Sequence, residues 1–399
     1  MKFIVANRWF LPEHSGGIPV YNNFLIEMLY SSPDIQLSIL SLKSEENSAF
    51  FRSKNLEYTT IDFDEKPSLL NKLAKLDFIR NMNRSYKDYT ISRMMAKKIE
   101  SSSADIVEFM DIHSESYVYL KNNPKNKRKT KVIIRSHTPW GVLKPTYFKD
   151  EIGGIDAHFA IDRERFCFEQ CDAITTPSDD LKNQLIKTYQ IDPEKITVLP
   201  NIIDTDHFKI ISSTKSNCYT FLHVGRFERA KGVITMIKAF IELCQETNDR
   251  IELINVGTPR GNAYAVCMSL LKQANLVDRV RFTGFVEYDD LPSYYSEADS
   301  VIAPPEIYES FSYTVAQAIS CGRPVILSDS GGMPQTVNYG EYGRIFNKQS
   351  VSSLKEQMKE QMNDKNSNAE DIRNYTLKRF SLQSNKSVYE SFYNMVRDL

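Results

Sequence analysis

At 399 residues the chain is too long for one common core and predicts two substantial domains. Its 50 basic and 51 acidic residues nearly cancel to a net charge of −1, which excludes a global electrostatic pull toward nucleic acid. No apolar run approaches the roughly 20 residues a spanning helix needs; with six cysteines and no Cys-x-x-Cys pair, the expectation is a cytoplasmic protein with reduced thiols.

The β-branched run Lys2 to Ala6 reads as a buried strand. A loop ending in Gly16 and Gly17 and a helix from about Ile18 to Tyr30 follow it. Strand, glycine turn and helix open a doubly wound α/β domain. The dinucleotide fingerprint Gly-x-Gly-x-x-Gly is absent, which argues against a nicotinamide enzyme. The glycine pair either lets a ligand approach the main chain or forms a tight turn without one. Further strands are predicted at Gln36 to Leu42 and Glu57 to Ile61. Between Lys66 and Lys98 nine Lys or Arg face two Asp, with Leu69, Leu70, Leu73, Leu76, Ile79 and Met82 at helical spacing. Two readings stay open: a basic helix drawn to an anionic membrane surface, or a solvated helix packed on its own domain. A second basic run, Lys121 to Lys131, has six positive charges and reads as an exposed loop.

Strands at Asp105 to Met110 and Lys131 to Arg135 resume the alternation, and the second delivers His137 at its carboxyl end, where ligands of open α/β sheets collect. A lone histidine can equally be structural. A helix from about Glu151 to Cys171, the strand DAITTPS, a helix to Tyr189 and the strand KITVLP come next. Residues 205–217 are polar without period and read as a linker. The strand CYTFLHVG then enters Gly225 to Gly232, in which Arg226 and Lys231 can converge on one diphosphate, the Arg as a planar fork and the Lys as a point charge. Two solvated cations are the alternative. After the strand RVRFTGF comes PPEIYESFSYTVAQAISCGRPVILSDSGGMP, residues 304–334. Phe311, Val315, Ala318 and Ile319 recur at helical spacing. Glu309 is therefore expected at or just before the first turn, with Gln317 a little over two turns along on roughly the same side. Such a helix start is a ready anion site, beside which Glu309 and Gln317 can take sugar hydroxyls. A last strand, Arg344 to Phe346, and three polar helical stretches close the chain.

Gly16-Gly17, His137, the Arg226/Lys231 pair, Glu309 followed by Phe311, and the later Gly-x-Pro-Val-Ile and Gly-Gly stand in an order that resembles the retaining glycosyltransferases of family 4, from Phe10 to about Val337. The resemblance implies the GT-B fold: α/β, with two Rossmann-like doubly wound domains facing each other across a cleft. The acceptor-binding domain would be 1–204 plus a crossing helix at 381–399, and the nucleotide-sugar domain 217–380. By the same resemblance Gly16 and Gly17 match a substrate-binding glycine pair, His137 and Glu309 contact the donor sugar, and Arg226 and Lys231 stabilise the leaving diphosphate. Main-chain groups at Phe311, Ser312, Tyr313 and Thr314 hold that diphosphate, Gln317 meets the ribose, and Phe285 and Val286 lie by the base. Two residues depart from the family pattern: Gln317 replaces a Glu and Ser312 a Gly. The implied enzyme is a retaining hexosyltransferase that moves sugar from a nucleotide-diphosphate sugar, a UDP-sugar by expectation, to a saccharide, lipid-linked or small-molecule acceptor in bacterial glycan or glycoconjugate biosynthesis. It needs no metal, no cofactor beyond its co-substrate and no nucleic-acid partner; peripheral membrane contact would run through 66–98. Only Glu309 is well placed as a carboxylate, which favours a front-face route over a two-carboxylate one. The rival readings are a nucleotide-sugar epimerase or phosphorylase of the same fold, and an inactive sugar-nucleotide-binding subunit.

Overall fold

The computed structural model describes residues 1–13, 16–63, 77–147, 155–212, 218–364 and 367–399. Leu69, Leu70, Leu73 and Leu76 of the basic stretch lie outside them. The chain divides into two units, Met1–Asn201 with Lys386–Leu399, and Ile202–Asn385.

The first unit is built on the strands β1 (Lys2–Ala6), β2 (Gln36–Leu42), β3 (Glu57–Ile61), β4 (Ile106–Met110), β5 (Lys131–Arg135), β6 (Ala173–Thr176) and β7 (Ile196–Val198). They pair in parallel in the order β3-β2-β1-β4-β5-β6-β7. Burial on both faces explains why the central strands read as nearly continuous apolar runs; every residue of β4 is buried. The exception inside β4 is Glu108. Its carboxylate accepts a hydrogen bond from Tyr21 of the helix Gly17–Tyr30 at 2.9 Å and one from Tyr393 of the helix Leu382–Asp398 at 2.8 Å. Burial raises its pKa, while both phenols and Arg135 act in the opposite sense. That late helix presents Tyr389, Phe392, Tyr393 and Val396 to the unit, a stripe of helical period. Tyr389 also donates to the Pro200 carbonyl at 2.8 Å.

The second unit holds β8 (Tyr219–Val224), β9 (Ile251–Val256), β10 (Val280–Gly284), β11 (Ser300–Ala303), β12 (Val325–Ser328) and β13 (Arg344–Phe346), parallel in the order β10-β9-β8-β11-β12-β13. Neighbouring residues of each strand serve opposite faces: Leu222, Val301 and Leu327 join one core cluster, and Phe221, Ile302 and Ile326 the other. In both sheets the order reverses beside the first strand, between β1 and β4 and between β8 and β11. A crevice for ligand at the carboxyl ends of the strands is expected there.

Three local readings change. Residues 205–212 of the polar stretch pack on the second unit: Phe208 is fully buried, and Arg373 donates to the carbonyls of Phe208 and Thr205. Within Lys121–Lys131, Arg128 is anchored to Asp172 at 2.7 Å with its side chain almost wholly buried. The helix after β11 starts later than the apolar spacing suggests, at Tyr313. Among the described residues no helix is long and apolar enough to cross a membrane.

Tyr393→Phe removes one of the two phenolic donors to the buried Glu108 with almost no change in shape. We expect it to lower stability by about 1–3 kcal/mol, read from urea unfolding, with Val388→Ala on the exposed side of the same helix close to neutral.

Candidate active site

The loops that follow β8 and β11 are joined through their main chains. Gly232 has a φ of 72°, and a Cβ built there would stand 1.7 Å from the Pro304 carbonyl oxygen, so only glycine fits. Glu306 N–H donates to the Ala230 carbonyl at 2.9 Å, and Thr314 Oγ1 to the Val224 carbonyl at 3.1 Å. This contact brings together two residues 78 positions apart: the Lys231 ammonium pairs directly with the Glu309 carboxylate, both partly exposed. Arg226, from the same loop as Lys231, is more exposed and pairs with Glu228 at 3.0 Å. Behind the loop, His223 Nδ1 lies 2.8 Å from Asn255 Oδ1, and burial pushes the imidazole down to about 4, which keeps it uncharged at neutral pH.

Glu309 itself is held from the other side. Its carbonyl accepts from Gly332 N–H at 2.8 Å, and a Cβ at Gly331 would come within 2.4 Å of that carbonyl oxygen. Ser328 and Ser330 donate to the carbonyls of Pro305 and Ile307. Ser312 is extended (φ −120°, ψ 109°) and caps the helix Tyr313–Ser320 by accepting from Val315 N–H at 3.3 Å. Glu309 therefore lies three residues before the cap, and Glu309 and Gln317 do not share a helix face. The Gln317 side chain is buried, and its Oε1 accepts from the buried phenol of Tyr295 at 3.0 Å. Its amide N–H2 is what remains for a ligand. Phe311 is buried and packs edge-on against Tyr313 and Phe380. At the end of β10, Phe285 is 69% exposed, whereas Val286 is partly buried against the core.

In the first unit Gly16 has a φ of 123°, and the space where its Cβ would stand is open; Gly17 begins the helix Gly17–Tyr30. Just after β1, Arg8 is paired with Glu115 and, at 2.8 Å, with Asp88, all buried. Burial pushes the Asp88 carboxyl up, but the hydrogen bond and charge of His113, and after them Arg8, outweigh it and hold it down at about 2. His137 lies two residues beyond β5, buried, with its ring edge-on to Tyr21 at 4.9 Å between centroids. Burial, helped by Arg135, keeps its imidazole neutral, and Nε2 has no partner among the described residues. The main chain from His137 to Gly141 is bound by two buried carboxyl groups that no sequence pattern singles out. Asp111 accepts from the N–H groups of His137 and Thr138, and Glu164 from those of Trp140 and Gly141. Neither residue belongs to a local motif; Asp111 ends a strand and Glu164 sits inside a helix.

Two family models match the chain: Glycosyltransferase Family 4 over residues 62–207 and Glycosyl transferases group 1 over 204–379. A Campylobacter jejuni N-acetylgalactosaminyltransferase acting on a diphospho-undecaprenol-linked sugar is 23% identical over 338 residues, 82% of this chain and 85% of that one. The N-acetyl-alpha-D-glucosaminyl L-malate synthase of Bacillus anthracis is 24% identical over 245 residues, 59% of this chain and 62% of that protein. With other curated relatives the match spans about half of their length, 46% in one from Methanocaldococcus jannaschii. In fold, the chain superposes on the sucrose-phosphate synthase of Thermosynechococcus elongatus with a TM-score of 0.78 at 17% identity, covering 99% of this chain and 98% of that one. It superposes on Anabaena HepE in complex with UDP with a TM-score of 0.72 at 16% identity, covering 99% and 100%. With both models, these relatives and two parallel α/β sheets that reverse order beside their first strand, the chain belongs to glycosyltransferase family 4 and has the GT-B fold.

Proposed function

We propose that the protein transfers a sugar, with retention, from a nucleotide-diphosphate sugar to an acceptor hydroxyl, and that UDP is the leaving nucleotide. The observation that carries this reading is the Lys231–Glu309 pair at the β8/β11 reversal, with Arg226 on the same loop. A diphosphate is a better partner for Lys231 than one carboxylate, because it brings more charge and more acceptor oxygens. Once Lys231 turns to the diphosphate, Glu309 is released to accept hydrogen bonds from sugar hydroxyls. The pair thus rests as a neutral unit and separates on the donor. Arg226 supplies the planar fork, and the first-turn N–H groups of the helix Tyr313–Ser320, of which Ser312 caps only one, add further donors. These charges replace a metal in neutralising the leaving group. Positive charge here stabilises the transition state more than the ground state, since the leaving phosphate gains charge as the glycosidic bond breaks.

The N–H2 of Gln317 is the group offered to the ribose, and the exposed ring of Phe285 a surface for the base. In the first unit the neutral His137 is a hydrogen-bonding group for sugar, and the open space beside Gly16 admits a ligand to the start of its helix. The acceptor is a saccharide, lipid-linked or small-molecule hydroxyl compound of glycan biosynthesis; the C. jejuni relative, whose name carries a lipid-linked acceptor, supports the lipid-linked class. Peripheral membrane contact is part of the same reading. On the described part of the helix Asp77–Glu100, Tyr86, Tyr89, Arg93 and Lys97 follow one another at three- and four-residue steps, all exposed.

Three outcomes test the proposal. Lys231→Ala and Arg226→Ala should each lower turnover of a UDP-sugar by at least roughly tenfold while leaving the unfolding midpoint unchanged; wild-type turnover in both removes the assignment. Chelation of divalent metal should leave the rate within about twofold, and a Mn²⁺ requirement would contradict the charge argument. Vesicles containing anionic lipid should bind the protein at low salt and release it as salt screens the contact, with Arg93→Glu/Lys97→Glu weakening retention.

A further inference from the structure

The segment Ser136–Gly141 that carries His137 connects β5 to the helix Trp140–Tyr147. Its position is set by groups from three other parts of the first unit. Asp111, at the end of β4, accepts through Oδ2 from Ser136 Oγ at 2.9 Å, His137 N–H at 3.0 Å and Thr138 N–H at 3.1 Å, and through Oδ1 from Ile112 N–H at 2.9 Å. Glu164, from the helix Ile155–Gln170, accepts through Oε1 from Trp140 N–H at 2.9 Å and through Oε2 from Gly141 N–H at 3.2 Å and from the Tyr189 phenol. Tyr189 closes the triangle by accepting from Gly141 N–H at 2.8 Å, and a Cβ at Gly141 would stand 2.3 Å from its phenol oxygen.

We infer that Asp111 and Glu164 are positioning residues for His137: together they take up the main-chain N–H groups on both sides of the imidazole and fix the ring where it meets the sugar. The inference rests on the reading of His137 as a sugar-contacting group. Both carboxyl groups are almost fully buried. A buried carboxyl is expensive to keep, and two from different elements, bonded to opposite ends of one short segment, constrain both its position and its direction. Desolvation raises Asp111 to about 6 and Glu164 to about 8, the second also through repulsion from Asp111. The imidazole is kept uncharged by its own burial and by Arg135, and its Nε2 is left to offer to a hydroxyl. Misplacing a group by about 1 Å can cost 10²-fold in rate without any change in what is bound.

The experiment is a double-mutant cycle on the full chain. The donor is whichever of UDP-glucose, UDP-galactose and UDP-N-acetylglucosamine raises the unfolding midpoint of the wild-type protein most. Asp111→Asn and Glu164→Gln keep the side-chain shapes, and Gly141→Ala displaces Tyr189 and its bond to Glu164 while leaving both carboxyl groups in place. Each should lower kcat by roughly tenfold or more, with KM for the donor within about threefold. Each combined with His137→Ala should be no slower than His137→Ala alone, since a residue that acts through the ring has nothing left to position. A slow His137→Ala beside fast Asp111→Asn and Glu164→Gln overturns the positioning role, and so does a multiplicative loss in the double variants, which a merely structural role would produce. A His137→Ala variant at the wild-type rate overturns instead the reading of His137 on which the inference stands. If Asp111→Asn or Glu164→Gln shifts the unfolding midpoint, Gly141→Ala, with both carboxyl groups intact, decides between the outcomes.

Discussion

Main chain packed against main chain, with no room for a Cβ, is the constraint on which the second unit depends. Gly232 lies on the Pro304 carbonyl, Gly331 on that of Glu309, and a Cβ at Gly257 would come within 1.8 Å of the Gly225 carbonyl oxygen. Each contact joins loops that follow different strands, and each fails with any larger residue. Because the main chains meet, Lys231 and Glu309 are placed by backbone geometry and not by the flexible reach of a lysine. What remains to be offset when they pair is the rotamer entropy of the two long charged side chains themselves.

The first unit solves its problem with buried charge instead of backbone contact. Arg8 is fixed by Asp88 and Glu115, Glu108 by two phenols, and the Ser136–Gly141 segment by Asp111 and Glu164. Buried carboxyl groups are tolerated when hydrogen-bonded and costly otherwise. Such a core is specific in arrangement, since few alternative packings satisfy all of these acceptors. The two halves of the protein thus reach order by different means: sterically over-determined glycine loops in one, buried carboxyl groups bonded to phenols, a guanidinium and main-chain N–H groups in the other.

Much of this was legible from the residues alone. The runs Lys2–Ala6, Gln36–Leu42, Glu57–Ile61 and Lys131–Arg135 are strands at the predicted bounds; the inner ones write themselves as nearly continuous apolar runs because both faces are covered, and the edge strand Glu57–Ile61 shows through its β-branched and aromatic residues. The sequence puts Lys231 and Glu309 in loops after two strands, and the reversal of strand order there brings the two side chains together. What escaped was decided by contacts distant in sequence. Apolar spacing placed the helix start too early because Phe311 is buried by packing on Phe380, 69 residues on, before the helix begins. The Gln317 oxygen is taken by Tyr295, which no spacing rule connects to it. Asp111 and Glu164 look like any strand-end Asp and mid-helix Glu until the fold brings four N–H groups onto them. Phe208 sits in a polar stretch and is buried all the same, since one aromatic among polar residues leaves no period to read.

The late helix that supplies Tyr389 and Tyr393 also bears on the order in which the protein can assemble. Pro200 and Glu108 leave the ribosome long before their partners, because the whole of Ile202–Asn385 is synthesised in between. Domains generally fold as they emerge, so the second unit can complete its core while the first still has Glu108 short of one phenol and lacks the buried side chains of Phe392 and Val396. The amino-terminal half of this protein is thus the last to mature, and during synthesis it is the half that a chaperone would meet unfinished.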